Sequence, residues 1–294
     1  MTDDAARIDS ELEITHAASA TRARIAPNRG GMATGFDVAG RAIFFMDRES
    51  FVDASKNVRG GAPVLFPTPG KLAGDTWSRG GKTGVLKQHG FARNLPWTLV
   101  RRAEDALTLR LTSDASTRAS YPWDFVVELT YRVTDGTLHA DAHIENGSSD
   151  AMPFGFGFHP YFLVQDKGTF ELDTSATRAF DNVTKREVHF DRRALDLRGP
   201  EIDLHLLDHP SGTMAFDYDL TSRVTILAAS APPAVIEGSP SYAHWVLWSV
   251  PGRDFVCVEP WTCPGDAMNT GSRLAYLAPG ESVDLALSYV VTRR

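Results

Sequence analysis

What most restricts the fold of this chain is a hydrophobic alternation with a period of two residues, repeated along its length. Leu107, Leu109 and Leu111 alternate with Thr108, Arg110 and Thr112. Val127, Leu129, Tyr131 and Val133 alternate with Glu128, Thr130 and Arg132. Over 138–144, Leu138, Ala140, Ala142 and Ile144 share one face, while His139, Asp141 and His143 share the other. The pattern returns near the C-terminus in Val283, Leu285, Leu287, Tyr289 and Val291. Side chains of a strand point alternately to its two faces, so each run offers one face to a core and one to water. Asp135-Gly136, Asn146-Gly147, Pro251-Gly252 and Pro279-Gly280 supply turns between the runs. Helical periodicity with caps is scarce by comparison, and neither an internal repeat nor a low-complexity linker divides the chain. The expected fold is all-β: a large antiparallel β-sandwich of two packed sheets, or a barrel. We expect one domain over residues 1–294, with about 1–18 as a flexible N-terminal segment, since all-β units often reach roughly 200–250 residues.

Charge and composition exclude several function classes. A net charge of -7 and a pI near 5.7 argue against the basic face that nucleic acid requires. No apolar run approaches the roughly 18 residues of a membrane span. The N-terminus, Met1-Thr2-Asp3-Asp4, is acidic where a signal peptide is basic, and no apolar stretch follows it. The chain has two cysteines, Cys257 and Cys263, so a reduced cytoplasmic protein is expected rather than a disulfide framework.

Three ionisable residues occupy unusual surroundings. His89 lies in Gln88-His89-Gly90-Phe91-Ala92-Arg93, His159 in Phe156-Gly157-Phe158-His159-Pro160-Tyr161-Phe162, and Glu259 in Val256-Cys257-Val258-Glu259-Pro260-Trp261. A polar group buried without a partner costs roughly 1–3 kcal/mol, so each of them needs a partner or a task. Alternation puts Phe255, Cys257 and Glu259 on one face of a strand and Val256 and Val258 on the other. Pro260 cannot donate to a ladder, which makes Glu259 the expected strand end. Residues 57–97 and 259–279 are rich in Gly and Pro and read as long ordered loops, where binding groups commonly sit. Each residue also has a structural reading: an edge glutamate, a core histidine bonded to a carbonyl, a turn-capping loop histidine. Arg59, before Gly60-Gly61, is on its own a surface arginine or a ligand contact.

Other chemistries have weaker support. His139, Asp141 and His143 share a face but are equally well explained as solvated strand positions, and no metal site is expected. The chain lacks a Cys-x-x-Cys, a His-Glu-x-x-His, a phosphate-cradling glycine loop and a Gly-x-Ser-x-Gly elbow. Cys257 sits in an apolar strand that would raise its pKa, which disfavours it as a nucleophile.

Five segments together resemble the aldose 1-epimerase, or galactose mutarotase-like, superfamily. They are Arg59-Gly60-Gly61-Ala62-Pro63-Val64-Leu65-Phe66-Pro67, His89-Gly90-Phe91-Ala92-Arg93, Phe158-His159-Pro160-Tyr161-Phe162, Ile202-Asp203-Leu204-His205-Leu206 and Val256-Cys257-Val258-Glu259-Pro260-Trp261. They occur in the family's order and span most of the chain. Their Arg-Gly-Gly and His-Gly-Phe-Ala-Arg forms are most similar to the hexose-6-phosphate mutarotase-type branch. The resemblance implies a large antiparallel β-sandwich and a mutarotase, an isomerase that interconverts the α and β anomers of an aldohexose. It implies Glu259 as general base toward the anomeric hydroxyl and His159 as general acid toward the ring oxygen. It implies His89 as a donor near the ring oxygen, with Asp203 and Arg59 on sugar hydroxyls and Arg93 and Trp261 as further substrate contacts.

This chemistry needs neither cofactor nor metal. Ring opening takes one proton off and puts one on, and each positioned acid or base typically contributes about 10²–10⁴ in rate. Trp77, Phe91, Phe158, Tyr161 and Trp261 are the expected aromatic walls. The expected partner is a small sugar or sugar phosphate, with no nucleic acid and no membrane, for a monomer or homodimer. Arg59, Lys87 and Arg93 would form a phosphate site if the substrate is phosphorylated. A non-catalytic sugar-binding module is the alternative of a different class, but it would need the aromatic platform without both Glu259 and His159.

Overall fold

The computed structural model describes residues 10–210, 212–230 and 241–293. Among them, strands dominate and helices are single turns such as Arg48–Val52. The alternating runs of the sequence become the long strands of one eight-stranded antiparallel sheet. Its order is Glu171–Asp173, Thr213–Asp219, Ser222–Ser230, Ser282–Arg293, Thr137–Asn146, Phe125–Thr134, Ala106–Thr112 and Thr98–Arg102. Phe125–Thr134 alternates buried and half-buried along all of its ten residues, as the period-two pattern requires. Gly136, Gly252 and Gly280 have φ of +61°, +69° and +74°, at three of the four expected turns.

A second sheet carries the motif residues. It runs Arg186–His189, Arg178–Asp181, Ile202–Leu206, His244–Ser249, Phe255–Trp261, Gly157–Phe158 and Val64–Leu65, with Tyr161–Leu163 also pairing to Phe255–Trp261. One hydrophobic cluster draws on both sheets, with Leu109, Leu129 and Tyr289 from the first and Leu247, Val256 and Val258 from the second. Phe162 bridges them, its ring 4.7 Å from Phe216 and 6.0 Å from Tyr289. The all-β sandwich reading therefore holds: two antiparallel sheets meet over a shared core.

Several local expectations are corrected. Residues 1–9 of the anticipated flexible segment lie outside the described residues, but Leu12–His16 is a strand paired with Thr21–Ala26, and Ile14 is fully buried. The stretch 57–97 is not loop throughout, since it contains the strand Val64–Leu65 and the hairpin Thr76–Arg79/Lys82–Val85. Glu259 is not a strand end, because the strand continues through Pro260 to Trp261, with Pro260 opposite Trp245. On the other side the pairing lapses between Tyr161–Cys257 and Gly157–Trp261, and a proline between those positions costs the ladder little.

Candidate active site

The register of the second sheet sets the candidate site. Gly157 is opposite Trp261 and Tyr161 opposite Cys257, so His159 falls opposite Glu259. On its other side Glu259 pairs with Val246, and Val246 with His205. One row across the sheet thus reads His205, Val246, Glu259, His159. The next row on the same face reads Asp203, Trp248, Cys257, Tyr161. Val256 and Val258 point the other way into the core, as the alternation of the sequence requires. The polar face forms the floor of a cleft of about 1000 Å³.

His159 Nε2 lies 3.4 Å from Glu259 Oε1. The second carboxylate oxygen, Oε2, accepts the indole N–H of Trp261 at 3.1 Å. Glu259 is 1% exposed, and burial pushes its carboxyl well above the usual range, an effect the Asp203 carboxylate reinforces. Burial, aided by the Arg93 guanidinium, pushes His159 down to about 3. Its ring stacks on Tyr161 at 4.8 Å and meets His89 edge-on at 5.4 Å. His159 Nδ1 is buried without a hydrogen-bond partner.

His89 is aimed by backbone conformation. Both His89 and Gly90 have positive φ, +70° and +69°, and a Cβ on Gly90 would sit 2.2 Å from the Phe66 carbonyl oxygen. His89 Nδ1 accepts from the Gly70 N–H at 3.0 Å, which leaves the ring proton on Nε2. Burial first, then Arg93, holds the imidazole well below its ordinary pKa, so it is a neutral donor. Trp261 lies over Gly157, where a Cβ would approach the indole to 2.8 Å.

Asp203 takes the side-chain amide of Asn182 on Oδ2 at 2.6 Å and faces His205 Nε2 from Oδ1 at 3.3 Å. Burial opposes its ionisation, but the hydrogen bonds from His205 and Asn182 outweigh it and hold the carboxyl below its ordinary range. Arg93 is buried and donates to the Val58 carbonyl at 3.3 Å, while Arg59 is exposed at the cleft rim. Lys71 and Lys185 share that rim with Glu187, Glu201 and Asp266, so its charge is mixed in sign.

All seven expected site residues, Glu259, His159, His89, Arg59, Asp203, Arg93 and Trp261, line this one cleft. Lys87 is not among its lining residues. Of the expected aromatic walls, Tyr161 and Trp261 line it. Trp77 instead packs on Trp123 at 5.4 Å, and Phe91 and Phe158 belong to the core. His139 and His143 pair with Ser288 and Asp284 across the first sheet rather than gathering around a shared centre. The nearest approach to a metal-ligand set among the described residues is His159, Cys257 and Glu259, whose ligand atoms lie within 4.8 Å of one another. Burial raises the Cys257 thiol well above its ordinary range.

Comparison with known proteins shows the family. The sequence profile of the family described as aldose 1-epimerase matches residues 21–290. The chain belongs to the aldose 1-epimerase family. Within reach of it is the Slr1438 protein of Synechocystis sp. PCC 6803, whose crystal structure is 33% identical with a TM-score of 0.89, covering 97% of this chain and 96% of that one. A galactose mutarotase related enzyme from Lactobacillus acidophilus shares the fold, with a TM-score of 0.73 and 20% identity over 96% of this chain and 97% of its own. A Cenchrus ciliaris protein described as "Putative glucose-6-phosphate 1-epimerase" is 25% identical over 257 residues, 79% of this chain and 72% of its own.

The sequence reading passed over His205, His244, Asn182 and Trp248, all of which line the cleft. One signal was available for His205: it stands two residues from Asp203 in a strand, and hence on the same face. Nothing local marks His244 or Asn182, because His244 reaches the cleft through strand pairing and Asn182 through its hydrogen bonds to Asp203, in each case with partners distant in sequence.

Proposed function

We propose that this protein is a catalytic aldose 1-epimerase, an isomerase that opens and recloses the pyranose ring of an aldohexose by general acid–base catalysis. The carrying observation is the 3.4 Å approach of His159 Nε2 to Glu259 Oε1 on the floor of a sugar-sized cleft. Glu259 as carboxylate takes the proton from the anomeric O1. The O1–C1 bond becomes a carbonyl, the C1–O5 bond breaks, and O5 takes a proton from the His159 imidazolium. Glutamate and histidine then hold one proton between them as before, on the other partner. Rotation about C1–C2 and closure on the opposite carbonyl face run the transfers backward and yield the other anomer. His89, a neutral donor, polarises the ring oxygen, while Asp203, Arg93, Arg59 and Trp261 hold the rest of the sugar.

A free aldohexose is the first reading of the substrate, because carboxylates are as numerous as cations at the rim. The second is a hexose 6-phosphate, favoured by Arg59 and Lys71 among the cleft's lining residues and by the Cenchrus ciliaris relative's description. One domain over the described residues, a sugar partner and a cytoplasmic location complete the proposal; both cysteines are free and buried, and no helix among the described residues is long and apolar enough to cross a membrane.

Polarimetry on freshly dissolved α-glucose, α-galactose and their 6-phosphates tests the reading. We expect acceleration over buffer at micromolar protein. No acceleration with any of the four would overturn it. A strong gain from the phosphate that Arg59→Ala or Arg93→Ala removes would select the phosphosugar.

A further inference from the structure

Beside the acid–base pair, the cleft wall holds a connected group of side chains that the proton transfers do not use. His205 Nε2 lies 3.3 Å from Asp203 Oδ1, and His205 Nδ1 lies 2.8 Å from His244 Nε2. The His244 ring stacks on the Trp261 indole with centroids 5.8 Å apart at 28°, and His205 meets the same indole edge-on at 5.4 Å. That indole donates to Glu259 Oε2. A single imidazole therefore touches both the hydroxyl-binding carboxylate and the group that holds the catalytic one.

The hydrogen bonds of this string have a consistent direction. A carboxylate has no proton to give, so His205 Nε2 must bring one to Asp203. The Asn182 amide is turned the right way for Oδ2, because its oxygen is occupied by Lys185 Nζ at 2.5 Å. Both Asp203 oxygens are thus fixed by donors, and its remaining lone pairs are left for ligand hydroxyls. On the far side, His205 Nδ1 and His244 Nε2 share one proton. That contact stops the His244 ring from rotating off the indole, and an indole held flat keeps its N–H in line with Glu259.

We propose that His205 is a positioning residue with two separable duties: through Nε2 it holds Asp203 as a hydroxyl acceptor, and through Nδ1 and His244 it keeps Trp261 aligned on Glu259. The inference rests on the acid–base reading of the cleft. It predicts that the two ring nitrogens control different kinetic constants.

Asparagine and glutamine separate the two nitrogens, because the Asn amide reaches about as far as Nδ1 and the Gln amide about as far as Nε2. For His205→Asn, which abandons Asp203, we expect KM to rise about tenfold or more with kcat within about threefold. For His205→Gln, which abandons His244, we expect kcat to fall about tenfold with KM nearly unchanged. A series of monodeoxyhexoses supplies a readout that a merely structural role would not move. Wild type should penalise one missing hydroxyl above the others, and His205→Asn should lose that penalty while His205→Gln keeps it. Should His205→Gln fail to fold, His244→Asn, whose amide stops short of the Nε2 position, replaces it, with loss of kcat at constant KM expected. Should His205→Asn fail to fold, Asn182→Ala, which strips the other donor from Asp203, replaces it, with a rise in KM expected. Equal effects of the two His205 variants on both constants, no effect of either, a rise in KM for His244→Asn or an unchanged KM for Asn182→Ala would overturn the inference. An inactive wild-type protein would overturn the functional reading and this inference with it, and that outcome is visible before any variant is made.

Discussion

His159, in the short break between the strands Gly157–Phe158 and Tyr161–Leu163, lies across from Glu259 of the neighbouring strand, with Nε2 and Oε1 3.4 Å apart and both side chains withdrawn from bulk water. Burial drives the two groups in opposite directions, the carboxyl upward and the imidazole downward. Each shift disfavours the charged form, so the sugar-free pair keeps its single proton on Glu259. Ring opening as proposed starts from the other arrangement, Glu259 ionised and His159 protonated. One proton on the pair is the number the mechanism needs; it must first cross the 3.4 Å from Glu259 Oε1 to His159 Nε2, and ring opening then returns it to Glu259 by way of the sugar's O5 and O1.

The first consequence concerns pH. Activity requires one proton on the pair, so the rate should follow a bell. Below about 3, His159 gains a second proton for the pair and the base is lost. Above the raised pKa of Glu259 the last proton leaves and the acid is lost. The rate corrected for hydroxide catalysis should therefore fall on an alkaline limb placed above the ordinary glutamate range. Polarimetry across pH 3–10 checks this, and a limb centred near the ordinary value of roughly 4.3 would contradict it.

Truncating either member should remove the catalytic contribution of both. Glu259→Gln and His159→Gln are each expected to lower kcat by about 10²–10⁴, and the double variant by no more than the worse single one. Glu259→Gln should fold normally, because burial already favours the uncharged form at this position. Two single losses that simply multiply in the double variant would mean the residues act independently.

Much of this site was legible in the sequence, for a definite physical reason. Glu259, His159 and His89 stood out because an ionisable group among aromatics, Gly and Pro must have a partner. The alternation of Phe255, Cys257 and Glu259 against Val256 and Val258 assigned their faces correctly. His244 was not legible, since its place beside Trp261 depends on strand register and not on its neighbours in sequence. Pro260 misled because a proline removes one donor and not a whole strand. Trp77, Phe91 and Phe158 misled because an aromatic near a motif residue can equally turn into the core.

Acid should destabilise the fold before it protonates most carboxylates. His89, His159 and His244 are all held below their ordinary range by burial, the last two at about 3. A histidine with a depressed folded pKa stabilises the fold fully above about 6.5 and loses that stabilisation as pH falls toward its folded value. Glu259, with a raised pKa, acts in the opposite sense, so it offsets at most one of the three. Between pH 6 and 5, unfolding should take up roughly 1.6–2.6 protons, or about 2–3.5 kcal/mol of stability per pH unit. Denaturant melts at stepped pH measure this slope, and His244→Gln should reduce it by about one proton. A stability independent of pH in this window would show that these imidazoles are not buried as described.

Trp261→Phe isolates the hydrogen bond that the indole gives Glu259. Phenylalanine keeps a ring under His244 but has no N–H for Glu259 Oε2, which the indole reaches at 3.1 Å. That bond favours the carboxylate over the acid, so its loss should raise the pKa of Glu259 further and make the reactive arrangement rarer. We expect kcat to fall roughly tenfold and the alkaline limb to move to higher pH, because a bond to a charged group is typically worth about 1.5–3 kcal/mol. The direction of that movement is decisive. A variant that loses rate while its alkaline limb stays in place would mean that Trp261 only packs against the sugar and does not tune the carboxylate.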